Sequence, residues 1–419
     1  MGVPLNILWI VTTQWRASAC GYAGDRNTRT PNLDALAAQS VNYAEAVTPH
    51  PFGPFARAAL LTGRRSPQNG VRDYFDALPT EARTIAHELG ERGYATAFFG
   101  KWGVGRRDPR VPLVGEAAAK VIVPPEERGG FEVWDGFEGG FLLNDPWFHG
   151  TQSAEPQRVT GYQSDVVCSR ASEWTRDAAG GDRPWFAMVS LEAPHPPYAA
   201  PAAGAPSRLP SEIILCGNVP RGGGVEAQAR TELAGYYAHI EATDRAVGQL
   251  IDKVASRPLG AVRAGPEVPP LPQTVVVFTS VHGDMHGAHG LFRKGWPHEE
   301  SVRVPLLVRA PGEAPRRENA AVSLADLPEL MLAKIENRKS KIENNFARIS
   351  MPSVVARPFQ CDRVWRGVRT STRKLVFNED GTPWLFFDLE NDPLEMTNLA
   401  GDPARAGEIT ALRDRDREK

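Results

Sequence analysis

The run from Thr274 to Ser280, TVVVFTS, is apolar at successive positions instead of alternate ones, and it is the plainest central strand in the chain. Ile7 to Val11 and Trp185 to Leu191 read as buried strands of the same kind. A sheet covered on both faces needs helices to cover it, and the segments between these runs supply them. Thr30-Pro31 opens a helix with Leu33, Leu36 and Ala37 on one face, and Thr84 caps a helix over Ile85 to Arg92 that Gly93 ends. Glu226 to Ala255 carries Leu233, Tyr237, Ile240, Val247, Leu250 and Val254 on one stripe, which is core packing. The alternation predicts an α/β fold, a large mixed sheet flanked by helices. With 419 residues there is room for one large domain and a smaller one.

Between the first strand and the second half of the sheet lies Thr48 to Gly63, TPHPFGPFARAALLTG. Pro54 suits the first position of a helix, Gly53 stands where an N-cap would, Leu60 and Leu61 give a face to bury, and Gly63 can end the helix. The unpaired N–H groups and the positive end of the macrodipole make such an end suited to an anion. Lys101 falls just past the carboxyl end of a strand expected over Tyr94 to Phe99, the edge of an open α/β sheet where ligands sit.

Residues 107 to 157 are rich in glycine, proline and aromatics, and read as a long excursion packed by Trp134, Phe137 and Trp147 that could shape an entrance. Val302 to Val308 reads as another strand. A short polar tandem around Lys334 to Asn345 reads as a linker. The expected organisation is therefore a main α/β domain over 1–333, a low-complexity linker over 334–360 and a small antiparallel C-terminal α+β subdomain over 361–419. The subdomain comprises a meander through Lys374 to Phe377 and Trp384 to Phe387 with a turn at Asn378 to Gly381, and a charged terminal helix.

A net charge of −2 argues against nucleic acid or an anionic membrane held by bulk electrostatics. The four cysteines, Cys20, Cys168, Cys216 and Cys361, are scattered and read as buried thiols in a reducing compartment. No basic leader precedes Ile7 to Val11 and no stretch approaches the ~18 apolar residues of a membrane span, which gives a cytoplasmic expectation.

The run Arg57-Ala-Ala-Leu-Leu-Thr-Gly63 resembles the signature of the sulfatases, a branch of the alkaline phosphatase superfamily, and TPNLDALAAQSVNYAEA over 30 to 46 and Asp388 to Leu399 resemble other parts of that family. The resemblance implies a sulfuric-ester hydrolase with a formylglycine nucleophile made from Cys or Ser and a calcium or magnesium ion. Four residues before Arg57 the nucleophile's position holds Gly53, with Pro54 one place early and Phe55 where the family has proline. The metal positions read Thr13-Gln14 and Val281-His282, so two carboxylates are replaced, and Lys101-Trp102-Gly103 lacks the family's histidine. The family's anion-gripping positions are kept as Arg57, Lys101, His195 and Lys294.

The implied site is thus Gly53, Arg57, Lys101, His195 and Lys294, with no metal and no cofactor. Two functions compete: a sulfatase-type hydrolase that is impaired or inactive, or a non-catalytic protein of the same fold that binds a partner or a sulfate- or phosphate-bearing small molecule or sugar. His282, His286 and His289 invite a transition-metal site, but the glycines between them read as a turn of the family's Asp-His-Gly kind. Cys20 reads as structural.

Overall fold

The protein is described by a computed structural model over residues 4–205, 208–255, 273–340, 342, 345–355 and 359–417. Its main sheet has ten strands. Across the sheet they run Arg316–Glu318, Val41–Tyr43, Leu306–Arg309, Thr274–Ser280, Asn6–Thr12, Trp185–Ser190, Ala95–Lys101, Val133–Phe137, Trp147–Gly150 and Gln157–Arg158. The five from Thr274–Ser280 to Val133–Phe137 are mutually parallel, and antiparallel neighbours flank them on both sides, so the sheet is mixed as expected.

The parallel centre is buried on both faces, as strands joined by helical crossovers are. Along the first strand Ile7, Trp9 and Val11 enter one apolar core, while Leu8 and Ile10 enter the other. Helix Gly53–Thr62 contributes Phe55, Leu60 and Leu61 to the first core, and Gly224–Ala255 contributes Leu233, Tyr237, Ile240 and Val247 to the second. Because the central strands are parallel, Thr12, Ser190, Lys101 and Ser280 all end on one edge of the sheet.

Several boundaries differ from the expectations. The strand Ala95–Lys101 includes Lys101 as its last residue. Gly53 is the first helical residue instead of the N-cap; extended Phe52 precedes it, and Pro54 occupies the second position. Val302 closes a short helix, Glu299–Val302, and the strand begins only at Leu306. Pro305 lies between them and has no N–H to give a ladder, which explains the late start. The 107–157 excursion adds three strands to one end of the main sheet.

Phe346–Met351 lies within the span expected to be a linker. It is the first strand of a four-stranded antiparallel sheet continued by Trp365–Thr370, Arg373–Asn378 and Pro383–Asp388. Ile409 and Leu412 of the terminal helix Ala406–Arg417 pack on Val368, Leu375, Phe377 and Phe386 of that sheet. Cys20, Cys168 and Cys361 are buried, but Cys216 is half-buried. Among the described residues no helix is long and apolar enough to cross a membrane.

Candidate functional site

Gly53, Arg57, Lys101, His195 and Lys294 all line one cavity of about 790 Å³ at the carboxyl edge of the central strands, together with Thr13, Gln14 and His282. Gly295 N donates to Pro51 O at 2.9 Å, and the Lys294 ammonium lies 5.5 Å from the Phe52 ring centre, which sets the lysine beside the start of helix Gly53–Thr62. The first intrahelical bond there is made by Ala56 N to Phe52 O at 3.0 Å.

Arg57 is buried in the first turns of that helix and reaches across the strand ends. Its Nη1 donates to Ser190 Oγ at 2.6 Å and to Lys101 O at 3.2 Å, and Nη2 donates to Thr13 Oγ1 at 2.7 Å. All three acceptors are neutral, so burial prevails and lowers its pKa to about 10. Gly103 leaves the space this guanidinium needs. It sits at φ 69°, and a Cβ there would come within 2.9 Å of Arg57 Cδ. A side chain at position 103 in this conformation would meet Arg57, a physical reason for glycine at a position where the family carries histidine.

One of the retained cations is matched by a carboxylate. Lys101 Nζ pairs with Glu192 Oε1 at 2.5 Å, and Glu192 is wholly buried. Arg107 pairs with buried Glu138 at 3.0 Å. Burial lowers the Lys101 pKa and raises that of Glu138. A third carboxylate, Asp284, accepts from Tyr198 Oη at 2.5 Å and from Gln14 Nε2. Sequence reasoning missed Glu192, Glu138, Asp284 and Tyr198. The signal for Glu192 was available in Glu192-Ala-Pro-His195, a charged residue closing an apolar strand, which is stable only when paired.

Lys294 is placed differently. Its ammonium donates to Gln14 Oε1 at 2.6 Å and to His195 Nε2 at 2.9 Å. It makes no ion pair among the described residues. Burial, followed by the positive charge of Lys101, brings its pKa down to about 7. His195 holds the matching tautomer, since its Nδ1–H donates to Pro196 O at 2.8 Å and leaves Nε2 to accept. The ring stacks on Phe141 at 4.5 Å, and burial beside Lys294 keeps it neutral. His282 is also neutral: Nδ1–H donates to Gly283 O at 2.8 Å, and Nε2 has no partner among the described residues.

At the positions where the family holds a cation, the donors are spoken for. Thr13 Oγ1 accepts from Arg57 and donates to Leu191 O at 2.9 Å, and Gln14 Oε1 accepts from Lys294. Val281 is wholly buried and offers no ligand atom. His282, His286 and His289 form no common ligand set among the described residues. Among the described residues His289 instead converges with Glu300 and Glu395.

A mixed α/β sheet whose parallel strand ends meet a buried arginine, two lysines and a helix N-terminus is an arrangement of the alkaline phosphatase and sulfatase type. The profile of the sulfatase family, described as Sulfatase, matches residues 5–333. The chain belongs to the sulfatase family. It is similar to the Ulvan-active sulfatase of Formosa agariphila, 31% identical over 95% of this chain and 77% of that protein. It is also similar to an arylsulfatase of Clostridium perfringens, 24% identical over 97% of this chain and 92% of the relative. A solved structure of a candidate sulfatase from Bacteroides fragilis superposes with a TM-score of 0.81 at 23% identity, covering 99% of this chain and 94% of that one. A phosphonate monoester hydrolase of Agrobacterium radiobacter superposes at 0.70 with 20% identity, over 98% and 94%.

Proposed function

We propose that this chain binds a sulfate- or phosphate-bearing small molecule or sugar through Arg57, Lys101, Lys294 and the start of helix Gly53–Thr62, and does not hydrolyse it. The observation that carries this reading is the space at Gly53. An ideal Cβ built there meets nothing within 4 Å, and the backbone φ lies outside the left-handed region. Neither crowding nor conformation demands glycine where the family keeps its nucleophile. The chain nonetheless has no side-chain atom there with which to attack an ester.

The donor set at the cation positions supports the same reading. Thr13, Gln14 and His282 are neutral, and calcium or magnesium draws affinity from charged oxygens. Gln14 Oε1 already accepts from the Lys294 ammonium, so these residues do not fit the family's ion. The neighbouring cations suit an anion instead. An oxyanion entering between Arg57 and Lys294 would receive charge-assisted hydrogen bonds, and His282 Nε2 could accept from a hydroxyl that the ligand carries.

The outer wall of the cavity tells against a purely polar ligand. Val111, Val114 and Ile122 all line it while remaining exposed, and Tyr74 and Pro112 stand beside them. A ligand with an anionic group and an apolar body would cover that wall. The relatives named above include enzymes whose names specify ulvan and aryl esters, and both substrate classes present a sulfate on an organic scaffold.

The test combines binding and turnover on the purified protein. Calorimetry with inorganic sulfate, phosphate and an aryl sulfate is expected to give binding that is lost on Lys294→Met. A chromogenic sulfate ester with added calcium is expected to give no product. Metal-dependent turnover that scales with protein concentration and disappears on Arg57→Ala would overturn the reading.

A further inference from the structure

The group His289, Glu300 and Glu395 comes from three separate segments. His289 follows the central strand Thr274–Ser280, Glu300 lies in the short helix Glu299–Val302, and Glu395 lies beyond the last strand of the C-terminal sheet. One ligand atom from each falls within 4.8 Å of the other two. Two more side chains close the space. Asn218 Nδ2 donates to Glu300 Oε1 at 2.6 Å and to His289 Nε2 at 3.2 Å, and the His298 ring stacks on His289 at 4.5 Å.

The ion pairs here gather on Glu299 and Glu395. Glu299 is held by Arg369 and Arg303 and shares Lys374, whose Nζ lies 2.5 Å from Glu395 Oε1. Glu395 Oε2 accepts from Glu299 N at 2.8 Å. Glu300 makes no ion pair among the described residues, and its only side-chain donor is the neutral amide of Asn218. Its second oxygen, Oε2, is buried without a partner. The same is true of Asn218 Oδ1 and His298 Nδ1, on residues 4% and 8% exposed. Buried polar atoms left unmatched beside a carboxylate without an ion pair leave room for a cation.

The geometry points to a divalent transition-metal site, of the zinc class, formed by His289, Glu300 and Glu395. One imidazole with two carboxylates suits such an ion better than calcium, which prefers an all-oxygen shell. Ligands ~2.0–2.1 Å from zinc stand ~3.3 Å apart at tetrahedral angles, so side-chain shifts of about an ångström close the set. Lys374 remains with Glu299 when Glu395 turns to the ion. The site joins the C-terminal segment to the loop between His289 and Glu300, and that loop carries Lys294.

The test uses the full chain, dialysed against a chelator and then titrated with zinc and, separately, cobalt(II). The expected result is one equivalent bound, a raised Tm, and cobalt d–d bands in the visible region indicating imidazole and carboxylate ligation. Glu300→Gln keeps the Asn218 hydrogen bond and the shape of the side chain, and is expected to fold normally yet weaken zinc binding by at least tenfold. His289→Gln should remove the imidazole signature. Cys216→Ser separates thiolate capture from the proposed set and should leave binding unchanged. Substoichiometric zinc, zinc binding indifferent to Glu300→Gln, or loss of the metal on Cys216→Ser would each overturn the assignment.

Discussion

Lys294 offers the sharpest measurement on the anion pocket, because its two partners are both neutral. The ammonium gives one hydrogen bond to Gln14 Oε1 and one to His195 Nε2, and Lys101 stands close enough to repel it. Its pKa of about 7 means that the charge is only half present near neutrality. An anion bound beside it supplies the missing countercharge and favours the protonated form. Binding of a ligand whose own charge is constant, such as sulfate or an aryl sulfonate, should therefore weaken as pH rises. With a pKa of about 7, the protonated fraction falls ~30-fold between pH 6 and pH 8.5, and affinity should fall by about that factor if only the charged form binds.

Stability should move in the opposite direction. The unfolded lysine titrates near ~10.4, so between about 7 and that value the unfolded chain holds a proton that the folded chain has released. The penalty is fully present below pH 7 and is relieved as pH rises, at up to ~1.4 kcal/mol per pH unit from this group. Calorimetric titration with sulfate at several pH values, beside urea unfolding at the same values, reads both arms. Lys294→Met should remove the stability difference between pH 6 and 8.5 along with sulfate binding. Affinity independent of pH across that window, or a Lys294 side-chain NMR titration centred near ~10.4, would refute the reasoning.

Other outcomes follow from the same contacts. Gly53→Ser should fold with stability within ~0.5 kcal/mol of the parent, because its Cβ meets open space, and should show no turnover of a chromogenic sulfate ester. Lys101→Met leaves Glu192 buried and unpaired, and should cost ~3–5 kcal/mol in urea unfolding; adding Glu192→Gln should restore most of it. Arg57→Met strips donors from Thr13, Ser190 and Lys101 O, and is expected to cost ~2–3 kcal/mol and weaken sulfate binding more than tenfold by calorimetry. Ile122→Asp should leave inorganic sulfate binding unchanged while weakening an alkyl sulfate by about fourfold for each methylene that loses its contact with the wall.

The central sheet was legible because its strands are apolar without alternation, and only a two-faced core explains that pattern. The helix at Gly53 was legible from Pro54 and Gly63, although its first residue was displaced by one because a glycine can serve as cap or first turn equally well. Phe346–Met351 was not legible. It alternates cleanly, with Ala347, Ile349 and Met351 buried, but the polar tandem before it masked a short strand that only its partner Trp365–Thr370 reveals. The site's cations were legible by position, whereas their carboxylates were not. Glu192 meets Lys101 across 91 positions, and Asp284 meets Gln14 across 270, separations that no local pattern encodes.

Those hidden carboxylates change the charge argument without reversing it. In the sequence two carboxylates at the family's cation positions are replaced, while Arg57, Lys101 and Lys294 are kept. In the folded protein Lys101 is matched by Glu192 and Arg107 by Glu138, so neither contributes a free charge. Asp284 is occupied by Tyr198 and Gln14. The residual positive charge then rests on Arg57, whose acceptors are a threonine, a serine and a backbone carbonyl, and on half-protonated Lys294. Both face the start of a helix whose Gly53 leaves room instead of a side chain. The anion proposed there would satisfy the guanidinium, raise the Lys294 pKa and meet the helix dipole at once, and Gly53 would offer it no side-chain atom for attack.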